Sequence, residues 1–301
     1  MKEPAQIDKF FKQLEDNFII WAKKNKDVRG AIVVGSRART DHPADEWSDL
    51  DIIIFTNDPD SLLTHTEWIY NIGEPILSFV EQTAGLDKEL RVLFKEGLDV
   101  DFAISDNRNL LQLQNLEDAS QILEDAVQFF GRGIRIIVDE DGLLNQFKER
   151  MLKIPRKPSL LPKENEFFEL INDFLYHCIF TAKKLQREEL WFAKQTCDDH
   201  LKSCLLKLIE WHTQINQGKN YDIWYRGRFL DTWADQRILN GLRNAFAYYN
   251  IKDIWRALFE TLDLFSWIAK EVAEKMDFSS FENEEHYIRD WIQQCYSNKS
   301  K

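Results

Sequence analysis

Hydrophobic periodicity changes once along this chain, and that change limits what it can fold into. Up to about residue 150 the apolar residues come in short runs: AIVVG (31–35), LDIIIF (50–55), ILSFVEQ (76–82), ELRVLF (89–94), LDVDFAI (98–104) and IRIIVDEDG (134–142). Runs of this length, rich in β-branched residues and bounded by turn residues, predict strands. Helical spacing over 6–26 (Ile7, Phe10, Phe11, Leu14, Phe18, Ile19, Ala22) and a helical stretch over 60–72 accompany them, and Lys95-Glu96-Gly97 reads as a hairpin turn. Past IPRKPSLLPKEN (154–165) nearly everything has a period near 3.6, predicting helices over 165–186, 187–216, 231–248, 252–275 and 284–296. Pro155, Pro158 and Pro162 make that segment the natural linker. The expectation is an α+β protein: a mixed α and β domain over 1–150, then an all-helical domain over 151–301.

Composition narrows the function. With 44% hydrophobic and 30% charged residues in 301, the chain reads as a soluble globular protein with room for two cores. A formal net charge of -12 argues against nucleic-acid binding, which needs a basic surface. It suits a cationic small-molecule partner, although acidity for solubility alone explains the same number. No stretch has the length of a membrane span, and MKEPAQIDKFF lacks the pattern of a secretory signal, so a cytoplasmic location is expected. Cys178, Cys197, Cys204 and Cys295 form no CxxC pair and read as reduced thiols in helices. The six histidines show no metal-ligand spacing, so no zinc site is expected.

Two aspartates open the apolar run LDIIIF. Asp49 and Asp51 are i and i+2, so on a strand they face one way, about 7 Å apart. Carboxylates there are costly unless a cation meets them. A hard cation such as Mg²⁺ takes oxygen ligands and completes its shell with water and phosphate. LDVDFAI offers Asp99 and Asp101, again i and i+2, and Asp101 is the deeper in its apolar run. Upstream, Gly35-Ser36 ends a buried strand. Glycine permits close backbone approach, serine offers a hydroxyl and an N–H to a phosphate, and a helix is expected to start near Ser36, with Arg37 and Arg39 beside it. An anion cradle next to a carboxylate-held metal is what nucleoside-triphosphate chemistry requires.

In the helical half, Lys183 and Arg187 are i and i+4 and are expected to share a face, either toward ligand phosphates or in salt bridges. Glu188, Glu189, Asp198 and Asp199 follow, as candidate contacts for a cationic acceptor or as solvated helix acids. Trp191, Trp211, Trp224 and Tyr225 read mostly as packing, with Trp224 or Tyr225, in a loop-like segment, the alternative candidate to stack on a base or a sugar ring.

The spacing G-S…D-x-D, on VVGSRA (33–38) and DEWSDLDIIIF (45–55), resembles the nucleotidyltransferase superfamily. AKKLQREEL (182–190), LLKLIEW (205–211) and DIWRALFETLDLFSWIAKEVAEKM (253–276) are similar to the aminoglycoside 6-adenylyltransferases, the streptomycin-modifying group within it. The resemblance implies a nucleotidyltransferase domain with a mixed sheet flanked by helices, followed by a helical-bundle domain that binds the acceptor. It implies transfer of AMP from ATP–Mg²⁺ to an aminoglycoside hydroxyl, with pyrophosphate released. By motif, Asp49 and Asp51 would hold Mg²⁺, Gly35, Ser36 and Arg37 would meet the triphosphate, and Asp101 would be ligand, general base or both. Gln186, QTCDDHLKSC (195–204) and KNYDIWYRGRFL (219–230) depart from the group's pattern, which leaves other acceptors open: another small molecule or a protein hydroxyl. A nucleotide-binding module without catalysis is the reading from outside enzymology.

Overall fold

The structure is a computed structural model that describes residues 4–39, 41–82, 88–115, 121–155 and 161–299. It divides into two compact units, Met1–Lys157 and Pro158–Lys301.

In the first unit, α1 (Pro4–Ala22) leads into β1 (Val28–Val34), β2 (Leu50–Thr56), α2 (Pro59–Thr64), β3 (Pro75–Gln82), β4 (Lys88–Phe94) and β5 (Leu98–Asp106). Helices α3 (Asn107–Asn115) and α4 (Gln121–Phe130), strand β6 (Arg135–Asp139) and helix α5 (Leu143–Lys153) complete it. The six strands form one sheet in the order β3-β4-β5-β2-β1-β6. β2 and β5 pair in parallel, and every other neighbouring pair is antiparallel.

Side chains alternate across the sheet, and each parity has its own fate. Ala31, Val33, Leu50, Ile52, Ile54, Leu90, Val92, Val100 and Phe102 pack against Phe11, Leu14 and Phe18 of α1 and Leu62 of α2. Ile32, Val34 and Phe55 pack the other way, against Leu110, Leu123, Val127, Phe130, Phe147 and Met151 of α3 to α5. Asp51, Glu89, Arg91 and Asp101 have this second parity, so the period that buries their neighbours under α1 turns these charged groups to the opposite face. The short apolar repeats of α3, α4 and α5 do not mark them as helices in the sequence. In α3, NRNLLQLQN, only Leu110 is buried among the described residues, too little to mark a stripe.

Two expectations in this unit are corrected. No helix starts at Ser36: Gly35–Arg37 is a single 3₁₀ turn, and the chain leaves it for the loop that returns to β2. The stretch 60–72 is not one helix, because His65 at φ -105, ψ 79 separates α2 from a 3₁₀ segment, Thr66–Asn71.

The second unit is helical: α6 (Glu164–Gln186), α7 (Leu190–Gln195), a π-helical segment Thr196–His200, α8 (Leu201–Gln217), α9 (Leu230–Trp233), α10 (Gln236–Ala245), α11 (Ile251–Met276) and α12 (Glu282–Lys299). Its core runs through Phe167, Phe174, Leu185, Leu201, Leu208, Leu258, Phe265 and Ile292, with Phe174 and Phe265 stacked at 3.5 Å. The helix expected over 187–216 begins only at Leu190, because Arg187 caps α6 and Glu188 stands at φ 60. The one expected over 231–248 breaks where Ala234 is extended and Asp235 caps α10 through Arg237 N. Cys178, Cys197 and Cys204 are buried and Cys295 is half-buried, all as free thiols. Trp211 and Trp224 are buried as expected, whereas Trp191 is 73% exposed; the side chain of Tyr225 lies outside the described residues.

Candidate active site

The site grows from three backbone facts. Val34, the last residue of β1, pairs with Asp51. Asp51 in turn pairs with Asp101 across the parallel β2–β5 ladder. Asp49 lies two residues before Asp51, just ahead of β2. One carboxylate oxygen from each of Asp49, Asp51 and Asp101 falls within 4.8 Å of the others. Asp99 is exposed and stands outside this trio, so the strand offers the group its deeper acid.

Gly35 makes room for it. Its φ of +65 suits a residue without a side chain, and a Cβ there would run into the Asp51 carboxylate, with Cγ at 3.1 Å. Next to it, Ser36 Oγ is shut off from solvent with no hydrogen-bond partner among the described residues. A buried hydroxyl left unpaired is costly and marks a place where a ligand oxygen fits. A cavity of about 360 Å³ adjoins the turn, its lining including Ser36, Arg37, Arg39 and Arg135.

Arg37 serves the protein itself. Its Nε donates to Asp49 O at 3.0 Å and its Nη2 to Ser48 O at 2.9 Å. The guanidinium lies over the Phe11 ring at 3.7 Å, pairs with Asp8 at 3.3 Å and is only 11% exposed. It therefore fixes the segment that carries Asp49 against α1. Beyond it, the loop closes on itself: Asp45 Oδ1 accepts from Ser48 Oγ at 2.8 Å and from Trp47 N at 3.0 Å. Arg39 Nε donates to His42 O at 2.8 Å.

Two charged neighbours escaped the sequence reading. Glu89 and Arg91 alternate with Leu90 and Val92 on β4, which reads as an ordinary solvent face, yet Arg91 is in register with Asp101. Arg91 Nε stands 3.0 Å from Glu89 Oε1 and 2.8 Å from Glu81 Oε2, and Nη2 is 3.8 Å from Asp101 Oδ2. Burial, then a hydrogen bond and charge repulsion from Glu89, push Asp101 up to about 8 against the pull of Arg91. Three carboxylates in one small space, all oxygen donors and electrostatically unfavourable together, fit a hard divalent cation.

The candidates in the helical unit are placed differently. Lys183 is on α6, with Nζ 5.8 Å from the Trp291 ring. Arg187 does not continue its helix face, and its Nε pairs with Glu189 Oε1 at 2.5 Å. Glu189 also takes Lys184 Nζ at 2.6 Å. Glu188 is exposed in the left-handed region. Asp198 is held by Lys194, by Lys202 at 3.8 Å and by Ala247 N at 3.4 Å, while Asp199 is exposed. No helix among the described residues is long and apolar enough to cross a membrane.

Comparison with known proteins gives the chain a family. A family model described as streptomycin adenylyltransferase matches residues 9–295. The chain is 24% identical over 273 residues to an aminoglycoside 6-adenylyltransferase of Campylobacter jejuni, covering 89% of each chain. It is 22% identical over 279 residues to the protein of that name from Bacillus subtilis, covering 88% of this chain and 91% of the relative. Among solved structures it is similar to an aminoglycoside 6-adenyltransferase from Bacillus subtilis, at 18% identity and a TM-score of 0.44 over 93% of this chain and 96% of that one. A match to the streptomycin adenylyltransferase model over nearly the whole sequence means that this chain belongs to that family and is a nucleotidyltransferase.

Proposed function

We propose that this enzyme transfers AMP from ATP to a hydroxyl of an aminoglycoside, streptomycin first among them, and releases pyrophosphate. The observation that carries the reading is the trio Asp49, Asp51 and Asp101 within 4.8 Å, next to the Gly35–Ser36 turn. The names of the relatives point to the aminoglycoside as acceptor.

Asp49, Asp51 and Asp101 would hold Mg²⁺, which when bound supplies positive charge to the phosphate oxygens. The residues do the rest. Ser36 offers its hydroxyl to a phosphate oxygen, and Gly35 lets the triphosphate approach the backbone. Arg37 keeps Asp49 in place. Asp101 accepts the proton of the incoming hydroxyl, with Glu89 hydrogen-bonded to it as the group that can take the proton on. Positioning and charge neutralisation carry most of the acceleration. The acidic balance of the chain favours encounter with a polycationic acceptor, and the helical unit is proposed to recognise it. Of its acids, the exposed Asp199 suits contact with a ligand better than Glu189 and Asp198, which already meet lysines, and Glu188, also exposed, remains a proposed contact. Lys183 and Arg187 remain proposed phosphate contacts.

Pyrophosphate release from ATP and Mg²⁺, followed across a panel of aminoglycosides, tests this. Release with streptomycin and none with uncharged sugars is expected. Release with no aminoglycoside, although ATP binds, would overturn the choice of acceptor.

A further inference from the structure

A second cluster of metal-binding side chains lies wholly within the helical unit. Asp173 and His177 are i and i+4 on α6; His200 and Cys204 are i and i+4, His200 closing the π-helical segment and Cys204 in α8. The four were invisible as a motif because each pair looks unremarkable alone. The π-helical segment carries an extra residue into the turn and so resets the direction of His200 relative to α7, a device often found at functional sites.

The geometry is that of a coordination sphere. Asp173 Oδ2 is 3.1 Å from His200 Nε2 and 3.5 Å from Cys204 Sγ, and Cys204 Sγ is 3.9 Å from His200 Nε2. A tetrahedral zinc bound to one oxygen, one nitrogen and one sulfur separates them by about 3.3 Å (O to N), 3.5 Å (O to S) and 3.6 Å (N to S), from its ordinary bond lengths. The three edges of the observed triangle lie within a few tenths of an ångström of these. His177 Nδ1 stands 2.8 Å from the other Asp173 oxygen, where it orients the carboxylate as partners of metal ligands do. The His177 and His200 rings lie 3.9 Å apart.

A hydrogen-bonded network of one aspartate and two histidines would explain part of this. Cys204, buried, extends it by donating its thiol to the same carboxylate oxygen at 3.5 Å, and so brings a sulfur donor to the cluster. The donor set of carboxylate, imidazole and thiolate separates this cluster from the all-oxygen trio of the sheet: it suits a borderline transition cation, not Mg²⁺.

We propose that Asp173, His200 and Cys204 form a binding site for a divalent transition cation of the zinc class, which ties α6 to the start of α8. Asp173 and His200 are 43% and 40% exposed, so a cation can enter and water can take the fourth position. On binding, Cys204 gives up its thiol proton to solvent and a sulfur–metal bond replaces the S–H bond.

Cobalt(II) chloride, added to the full-length chain freed of metal by a chelator, is the probe. One Co²⁺ per chain with a sulfur-to-cobalt charge-transfer band in the near ultraviolet is expected. Cys204→Ser should lose the band. His200→Asn, at a partly exposed position that does not endanger the fold, should weaken binding at least about 100-fold. Both should keep the helical circular-dichroism signal of the parent chain. A titration with no charge-transfer band, or a band that survives in both variants, would overturn the site and leave the cluster as a hydrogen-bonded network.

Discussion

Gly35 and the Asp51 carboxylate occupy adjoining space: the turn after β1 runs so close to the second strand that a methyl group on residue 35 would overlap the acid. The glycine is thus part of the geometry of the acidic trio, although it has no side chain of its own to offer. Gly35→Ala would have to adopt a left-handed φ and displace Asp51. The expected result is a loss of at least about 100-fold in adenylyl transfer, with roughly 1–2 kcal/mol of stability lost to the backbone conformation. Steady-state kinetics and chemical denaturation of the variant check the two figures.

Asp49→Asn should separate chemistry from folding. The substitution removes a charge from a cluster of three carboxyl groups whose oxygens lie within 4.8 Å of one another, so the fold should be unchanged or more stable by up to about 1 kcal/mol. Turnover should vanish. A variant that melts at or above the parent temperature and still transfers AMP at a near-normal rate would show that Asp49 holds no essential cation.

Arg37 gives a test of positioning. Its fork spans the Asp49 and Ser48 carbonyls, and a lysine cannot reach both. Arg37→Lys is expected to lower kcat about 10–100-fold and to raise the Mg²⁺ concentration needed for half-maximal rate, with KM for the acceptor little changed. Magnesium titrations at saturating ATP make the distinction; a change confined to KM for ATP would assign Arg37 to the triphosphate instead.

The pair Glu15–Arg135 predicts the acid limit of the first unit. Arg135 Nη1 and Nη2 donate to Glu15 Oε1 at 2.7 Å and Oε2 at 2.5 Å, joining α1 to β6, and the Glu15 side chain is only 5% exposed. Burial raises the carboxyl, but the hydrogen bonds and charge of Arg135, helped by Lys12, win and hold it below its ordinary value of 4.5. A depressed pKa adds stability above the unfolded value that is lost as pH falls through the folded one. Glu15→Gln should therefore cost about 1–3 kcal/mol at pH 7, and the gap to the parent should close below about pH 4.5. Denaturation midpoints at pH 7, 5 and 3.5 measure it.

What the sequence made legible follows from period. Strands β1, β2 and β5 and the outlying acids Asp49, Asp51 and Asp101 stand out because a carboxylate in a run such as LDIIIF breaks an apolar pattern. Glu89 and Arg91 do not stand out, because charges in the alternating strand ELRVLF look like any solvent face; only the register of β4 on β5 brings them to Asp101. The expected helix at Ser36 failed on tertiary grounds, since Arg37 ties the turn to the loop carbonyls at once. Lys183 and Arg187 would share a face only on a helix that continued past Gln186, where α6 ends. The meeting of Asp173 with His200 and Cys204 depends on helix packing and on a π-helical turn, neither of which leaves a spacing to read.

The central claim is that the trio on the sheet supports AMP transfer to an aminoglycoside. The most direct measurement is mass spectrometry of streptomycin after incubation with the enzyme, ATP and Mg²⁺, beside the same reaction with Asp51→Asn. The account predicts that the drug gains one adenylyl group with the parent enzyme and none with the variant. Unmodified streptomycin from the parent enzyme, or an equal gain from Asp51→Asn, would contradict it.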